Sequence, residues 1–434
     1  KESLKKIDNL RATHLTIRPK LEEVRGKKEE GRKFSLPITI TNYPILGVKS
    51  MTDKTKNHLL EIEEIGQSIW MDNLTRNLIE SGELKQMIES RGLRGITSNP
   101  AIFEKAIAGN VIYDADIEAG IRAGKSVMEI YESLVFADIR NACDIFAPVY
   151  EESKGLDGYI SIEVPPTIAN DTESTISEAL RYYQAIGKPN VMIKIPGTAQ
   201  GLPAVERVIS EGINVNVTLL FSVDSYVEAF WSYIRGLEAR AAKGLDVSNI
   251  ASVASFFLSR IDSNIDGQID AKLKGVTDVA TKAKLEAVKG KIAIANAKVA
   301  YQKYKEIVAT DRWQALVAKG TQVQRLLWAS TSTKNPNYSD VMYVDELIGP
   351  DTVNTLPPNT VEACFDHCDV APRIESNVEE AYRTIESLKD PDIAINLDDV
   401  MADLLLDGIE KFVSPFQSLM DSLEEKVQKL SPVA

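Results

Sequence analysis

Short apolar runs, several of which contain or end in a polar residue, alternate along the chain with longer stretches of helical periodicity. The alternation begins near residue 52 and gives eight strand candidates. Continuous apolar strands are typical of parallel sheets covered on both faces, because neither face then meets water. The runs lie at residues 68–72 (SIWMD), 95–99 (GITSN), 159–164 (YISIEV), 191–196 (VMIKIP), 213–221 (INVNVTLLF), 250–257 (IASVASFF), 325–330 (RLLWAS) and 352–356 (TVNTL).

Amphipathic helices are predicted between and after these runs. The stretch 174–185 begins in a region similar to a capping box at Ser174, although its glutamate falls one place late. The stretch 224–243 carries an aromatic stripe at helical spacing, which indicates core packing. The last helix groups its apolar residues on one face; we expect it to pack over the sheet, and a lid near an active site is the alternative. The C-terminal helices are predicted at residues 378–388, 398–412 and 414–430.

Eight strand–helix units predict an α/β fold, namely a (β/α)8 TIM barrel with extra helices and an N-terminal extension. A doubly wound open sheet is the alternative, but it usually carries a GxGxxG turn or a P-loop, and the sequence has neither. We assign the barrel to residues 51–372 and helices packed on it to residues 373–434. Residues 1–50 hold twice as many basic as acidic residues with little apolar periodicity, so we expect a poorly ordered extension.

The composition narrows the class of protein. A net charge of −13 argues against a nucleic-acid partner, which normally requires a basic surplus. No apolar run approaches the roughly 18 residues that a membrane helix needs. The three cysteines, Cys143, Cys364 and Cys368, form no CxxC pair and no disulfide framework, which favours a reducing, cytoplasmic compartment. The oligomeric state is left open between monomer and homodimer.

The histidines do not indicate a metal site. His14, His58 and His367 are far apart, and no HxH or HExxH pattern occurs. Residues 364–368 (CFDHC) could imitate a metal loop, but their spacing matches no standard site and a structural role is expected. We therefore predict neither a metal nor a cofactor.

Polar residues stand at the ends of six of the predicted strands, where a barrel of this class carries its catalytic groups. Any one of them could be a helix cap or a polar loop residue. A lysine, two carboxylates and two amides that converge on one mouth instead indicate an active site. The residues are Asp72, Thr97, Asn99, Glu163, Lys194, Asn216, Thr218, Ser255 and Arg260.

Lys194 carries the strongest chemical signal. It stands between Ile193 and Ile195 inside an apolar strand, where burial favours the neutral amine. A neutral lysine attacks carbonyl carbons to form Schiff bases. Two alternatives stay open: the side chain could extend to water, or it could pair with a carboxylate.

Other strand ends supply what such a lysine needs. Asp72 and Glu163 are candidates for the general acid/base that imine formation and carbon–carbon cleavage require. Asn99 and Asn216 can donate and accept hydrogen bonds with a polyhydroxylated substrate. Arg260 offers a planar fork for a phosphate.

At these residues the chain resembles the transaldolase family, from about residue 58 to residue 368. The last of the shared motifs is similar to the longer-chain branch of the family. The motifs are GITSNPAIFEKAI (95–107), VMIKIPGT (191–198), INVNVTLLFS (213–222), ASFFLSRID (254–262) and RLLWASTSTKNPNYSD (325–340).

The resemblance implies a role for each matching residue. Lys194 corresponds to the Schiff-base lysine and Asp72 to the acid/base of bond cleavage, while Glu163 and Thr218 correspond to the pair that holds the catalytic water. Substrate contacts are implied for Thr97, Asn99, Asn216, Ser255, Phe257 and Arg260. The implied reaction moves dihydroxyacetone from sedoheptulose 7-phosphate to glyceraldehyde 3-phosphate, in the non-oxidative pentose phosphate pathway, without metal or cofactor.

The sequence departs from the short form of the family after the seventh strand. That form places an arginine two residues beyond its serine, whereas here Ser330 is followed by Thr331 and Ser332, and Lys334 is the nearest cation. Ser330 and Lys334 are therefore candidates for the second phosphate contact. Three rival functions stay open: an aldolase that releases free dihydroxyacetone, a catalytically silent sugar-phosphate-binding barrel, and nucleic-acid binding by the basic N-terminus.

Overall fold

The computed structural model describes residues 57–431 of the chain. Eight parallel strands close into a barrel in chain order, with the eighth hydrogen-bonded to the first. The predicted TIM barrel is confirmed, and the open-sheet alternative is wrong. The strands are β1 (Gln67–Asp72), β2 (Gly95–Thr97), β3 (Ile160–Glu163), β4 (Val191–Pro196), β5 (Val215–Leu220), β6 (Ser252–Phe257), β7 (Arg325–Ala329) and β8 (Thr352–Leu356).

Each predicted run overlaps one of these strands, and the two at 191–196 and 352–356 match in full. Every residue of β2 to β8 is buried. This follows from the architecture, because alternate side chains fill the barrel interior while the others lie beneath the surrounding helices.

Helices surround the barrel and pack on its strands, for example α7 on β4 and α9 on β6. Within residues 57–431 they are α1 (His58–Glu64), α2 (Arg76–Glu80), α3 (Glu83–Arg91), α4 (Pro100–Ile107), α5 (Asp114–Arg122), α6 (Val127–Glu152), α7 (Thr172–Ile186), α8 (Gly201–Ser210), α9 (Val223–Ala242), α10 (Ser259–Leu273), α11 (Val279–Val288), α12 (Ile292–Val308), α13 (Asp311–Val317), α14 (Met342–Glu346), α15 (Pro358–His367), α16 (Val378–Ser387) and α17 (Leu397–Leu430). Short 3-10 turns lie at Val111–Tyr113 and Pro166–Ile168.

Two helix starts illustrate how local capping sets the boundary. Helix α7 begins two residues before the predicted start at Ser174, because Asp171 is the N-cap and accepts a hydrogen bond from the Ser174 backbone N–H at 3.0 Å. Helix α9 begins after Ser222, whose hydroxyl accepts from the Ser225 N–H. Its aromatic stripe is buried, so the expected core role is confirmed; the stripe comprises Tyr226, Phe230, Tyr233 and Leu237.

The prediction of separate helices at 398–412 and 414–430 is wrong, because α17 runs unbroken through Pro415. Proline has no N–H to donate to the carbonyl four residues earlier, which normally ends or bends a helix. Phe412 and Phe416 are each 5% exposed on either side of it, and this burial helps to hold the helix together. Helix α17 contacts α4, α6, α10 and β5.

A buried ion pair lies at the N-terminal end of the barrel. Arg325 Nη2 and Asp157 Oδ1 are 2.9 Å apart, and both side chains are less than a tenth exposed, at 5% and 7%. Arg325 also donates to the Ser68 hydroxyl at 2.7 Å, and the Trp70 indole donates to Asp157 at 2.9 Å. Catalytic groups of such barrels lie at the opposite end, so this network serves stability.

Residues 364–368 form the last part of α15 and its C-cap. Cys364 and Cys368 form a disulfide that the sequence analysis did not foresee, although residues four apart share one face of a helix. Cys143 is free, and burial raises the pKa of its thiol. In the described part of the chain no group of side chains could hold a metal ion, and no helix is long and apolar enough to cross a membrane. The predicted extension at residues 1–50 lies outside that part.

Candidate active site

Three neighbouring strands bring a carboxylate, an amine and an amide side by side. The register pairs Glu163 on β3 with Lys194 on β4, and Lys194 with Asn216 on β5. Paired residues of parallel strands point to the same face, so all three side chains enter the barrel interior near its C-terminal mouth. The structure thus places these three predicted residues side by side.

Lys194 is held inside the mouth, where only 4% of the residue is exposed. Its amine donates a hydrogen bond to the Ser98 carbonyl at 2.9 Å and lies 3.9 Å from Glu163 Oε2. The side chain therefore does not extend to water. Its distance from the carboxylate is longer than a hydrogen bond.

Asp72 ends β1 on the other side of the mouth. Its carboxylate accepts hydrogen bonds from the Thr97 hydroxyl at 2.6 Å and the Asn99 amide at 3.4 Å. Thr97 Oγ1 is also 2.8 Å from the hydroxyl of Thr355 on β8. Burial raises the pKa of Asp72, and the Lys194 charge opposes this shift.

Glu163 has an unusual environment for a carboxylate. Both of its oxygens are buried without a hydrogen-bond partner among the described residues, and so is the hydroxyl of Thr218. Burial raises the pKa of Glu163 to about 7; the nearby Asp72 adds to the shift and Lys194 opposes it. Unpaired buried polar atoms are rare in proteins and commonly mark a site for water or ligand.

A cavity of about 150 Å³ opens at the mouth. It contains every predicted site residue except Glu163 and Asn216. A larger cavity of about 390 Å³ between α12 and α16 contains none of them. The lining residues of the mouth cavity are Asp72, Thr97, Asn99, Lys194, Thr218, Ser255, Phe257, Arg260, Ala329, Ser330, Ser332, Lys334, Thr355, Pro357 and Phe412.

One part of this cavity is cationic. Arg260 lies in the first turn of α10 with its guanidinium 5.3 Å from the Phe257 ring centre, and its Nη1 is buried without a partner in the described chain. Burial lowers the pKa of Arg260. Burial and the charge of Arg260 also lower the pKa of Lys334, whose amine donates to the Ser332 hydroxyl at 2.6 Å. Two repelling cations beside an unpaired donor favour a bound anion.

Strained backbone occurs at two points around the mouth. Leu219 has φ of 59° within a β-bulge of β5, and Ser330 has φ of 55° directly after β7. Left-handed backbone is unfavourable for residues other than glycine and often accompanies functional sites. Thr218 lies within the bulge, next to Leu219, and Ser330 places its hydroxyl 2.9 Å from that of Ser259.

The two predicted amides are partly engaged in structural contacts. Asn99 is the N-cap of α4, so its oxygen accepts from the Ile102 N–H at 3.1 Å while its NH2 group faces Asp72. Asn216 is fully buried; it donates to the Ser161 hydroxyl at 3.1 Å and accepts from Ser255 at 2.7 Å. Asn216 itself does not line the cavity, but it accepts a hydrogen bond from Ser255, which does.

Sequence reasoning missed four contributors to the site. Ser98 stands near the end of a run that was already identified, so its position was an available signal, whereas Ser161 lies in the middle of its run. Thr355 lies one residue before the end of β8, a strand for which no polar residue was singled out. Phe412 comes from α17, far along the chain, and no local pattern marks it.

The fold and the site together define a (β/α)8-barrel enzyme with a buried lysine and two carboxylates at its C-terminal mouth. Residues 69–423 match the family model described as transaldolase/fructose-6-phosphate aldolase. A protein of Trichodesmium erythraeum named "Transaldolase" is 77% identical over 377 residues, which are 87% of this chain and 99% of that protein. One of Saccharopolyspora erythraea, also named "Transaldolase", is 43% identical over 376 residues, 86% and 99% of the two chains. The chain belongs to the transaldolase/fructose-6-phosphate aldolase family.

Proposed function

We propose that this enzyme transfers a dihydroxyacetone unit from sedoheptulose 7-phosphate to glyceraldehyde 3-phosphate through a Schiff base on Lys194. The products are erythrose 4-phosphate and fructose 6-phosphate, and the reaction belongs to the cytoplasmic, non-oxidative pentose phosphate pathway. The observation that carries the proposal is the buried Lys194 amine, which lies 3.9 Å from Glu163 and lines one cavity with Asp72 and two cations. Burial raises the pKa of both carboxyl groups. The relatives named transaldolase support the same reaction.

Imine formation requires acid and base at the Lys194 nitrogen. The neutral amine attacks the ketose carbonyl carbon, and the resulting carbinolamine loses its oxygen as water. Glu163, 3.9 Å from the amine, supplies and recovers the proton, because a carboxyl with a pKa of about 7 holds both forms near neutral pH. The unpaired hydroxyl of Thr218 helps to hold the water that this step releases.

Cleavage follows from the positive charge on the iminium. Asp72 takes the proton of the C4 hydroxyl, the C3–C4 bond breaks, and its electron pair moves toward the iminium nitrogen. The aldehyde leaves, and a three-carbon enamine stays on Lys194. In the second half-reaction the enamine carbon attacks the acceptor aldehyde, and Asp72 returns its proton to the new hydroxyl. Water then adds to the product iminium and the C–N bond breaks, so that the new ketose leaves and Lys194 regains its amine.

Arg260 and Lys334 are proposed to hold the substrate phosphate. A phosphate offers acceptor oxygens to the unpaired Arg260 Nη1, and it relieves the repulsion between the two cations. Lys334 would then supply the second charge that the short form of the family draws from an arginine two residues after its serine. Ser332 orients the Lys334 amine through their 2.6 Å hydrogen bond.

An enzyme that releases free dihydroxyacetone is the second candidate, because the family model covers fructose-6-phosphate aldolases as well. Product analysis separates the two reactions. A transferase requires an acceptor aldehyde for turnover, whereas an aldolase forms free dihydroxyacetone and glyceraldehyde 3-phosphate from fructose 6-phosphate alone.

The Schiff base is tested by borohydride trapping. Borohydride added with fructose 6-phosphate should inactivate the enzyme and label one peptide, which contains Lys194, with the mass of a reduced three-carbon unit. Lys194→Arg should abolish labelling and activity, because a guanidinium stays protonated and is no nucleophile. Lys298→Arg is the matched control, since Lys298 is equally buried at 4% exposure but pairs with Glu346 away from the mouth. Labelling at another lysine would refute the assignment.

A further inference from the structure

One face of the C-terminal helix α17 lies across the barrel mouth. Gly408, Phe412 and Phe416 follow each other at intervals of four residues, so they share that face. All three are buried in the structure. The helix begins at Leu397, more than forty residues after the last strand of the barrel ends at Leu356.

Phe412 covers the reactive amine. Its ring centre is 5.7 Å from Lys194 Nζ, and its side chain lines the same cavity as Asp72 and Lys194. Phe416, one turn further, packs edge-on against Tyr131 at 5.6 Å between ring centres. Phe416 and Tyr131 also line the small compartment that contains Glu163.

Gly408 explains how the helix approaches so closely. A Cβ atom at this position would lie 3.0 Å from Leu219 Cδ2 and 3.6 Å from Arg260 Nη1. The glycine therefore brings the α17 backbone against the strained segment after Thr218 and beside the cationic end of the cavity. This close contact at Gly408 helps to set the distance between the Phe412 ring and the Lys194 amine.

We propose that Phe412 is a specificity-determining residue that keeps water away from the enamine on Lys194, so that the three-carbon unit is transferred and not released. This inference rests on the proposed function. The ring is the apolar group above the amine, and excluding water from a closed site suppresses hydrolysis of reactive intermediates. Its role is distinct from that of Asp72 and Glu163, which move protons.

The competing reaction is a balanced hydrolysis. The enamine carbon takes a proton, which returns the intermediate to the iminium of dihydroxyacetone. Water then adds its oxygen to the iminium carbon, a proton passes from that oxygen to the nitrogen, and the C–N bond breaks. Free dihydroxyacetone leaves and Lys194 regains its amine. Water above Lys194 promotes both the protonation and the addition, and the Phe412 ring occupies that space.

The test is the partition of the enamine between transfer and release. Fructose 6-phosphate and a fixed concentration of erythrose 4-phosphate are supplied, and free dihydroxyacetone is measured against sedoheptulose 7-phosphate formed. Phe412→Ala should raise the ratio of release to transfer by about tenfold or more, since a tenfold change needs only about 1.4 kcal/mol in one of two competing barriers. Phe412→Leu, which keeps an apolar cover, should stay near the wild-type ratio.

The control is Leu419→Ala, a buried residue of the same helix that does not line the mouth cavity; it should lower stability without changing the ratio. If Phe412→Ala does not fold, Phe412→Val is used instead, because it removes less of the side chain above Lys194. An unchanged ratio in a folded Phe412→Ala or Phe412→Val enzyme that still transfers would overturn the inference. Failure of the proposed function is distinguishable, because the wild-type enzyme would then either give no trapped adduct at Lys194 or release dihydroxyacetone from fructose 6-phosphate without needing an acceptor.

Discussion

Removal of the Arg260 guanidinium should weaken recognition of phosphorylated substrates specifically. Its Nη1 is buried and has no partner among the described residues, so in the free enzyme Arg260→Ala breaks no hydrogen bond of that nitrogen. The substitution therefore loses binding free energy only when a phosphate is bound. A hydrogen bond to a charged group contributes about 1.5–3 kcal/mol. At about 1.4 kcal/mol per decade, this predicts a fall in kcat/KM of roughly 10- to 150-fold.

The assay compares glyceraldehyde 3-phosphate with unphosphorylated glyceraldehyde as acceptor, after the enzyme has been loaded with the same donor. The loss should be large for the first acceptor and small for the second. Lys334→Ala should show the same selectivity with a smaller loss, because Lys334 is more exposed than Arg260 and solvent screens its charge more strongly. Arg260→Lys keeps the charge but loses the planar fork, so it should lie between the wild type and Arg260→Ala. Equal losses for the two acceptors would show that Arg260 acts on folding or on chemistry and not on the phosphate.

Three further predictions address the acid, the pH dependence and the scaffold. Asp72→Asn should lower kcat by roughly 10²–10⁴-fold with the fold intact by circular dichroism; near-full activity would shift the proton transfer to Glu163. The wild-type kcat/KM should show an ionisation near pH 7 that Glu163→Gln abolishes. Burial raises the pKa of Glu163 in the folded protein from 4.5 to about 7, so the folded protein loses stability as pH rises from 4.5 to 7. Denaturant titrations over this pH range should therefore show the Glu163→Gln variant gaining stability relative to wild type. Arg325→Ala should lower the free energy of unfolding by about 3–5 kcal/mol, because it leaves the charge of Asp157 buried without its cationic partner. The folded fraction should keep its kcat, and an unchanged denaturation midpoint would contradict this reasoning.

Whether a site residue could be assigned correctly from the sequence depends on the contacts that its side chain makes in the fold. Lys194, Asp72 and Glu163 could be located from the sequence because a polar residue within or at the end of an apolar strand stands out. Asn216 has the same signature, yet the structure gives its amide to Ser161 and Ser255. A sequence shows that an amide is buried, but only packing decides whether it faces the cavity or another side chain.

The sequence by itself determined the eight strands, the closed order of the barrel and the residues at its mouth. Strand periodicity and strand-end polarity are local signals, and a parallel barrel carries every strand end to the same rim. The tertiary structure decided the rest. Phe412 reaches Lys194 from more than two hundred residues away. The closeness of Arg260 to Lys334 and the unbroken course of α17 also depend on contacts across the fold. Such contacts leave no periodic trace, because each is specified by the packing of surfaces that become neighbours only after the chain has folded.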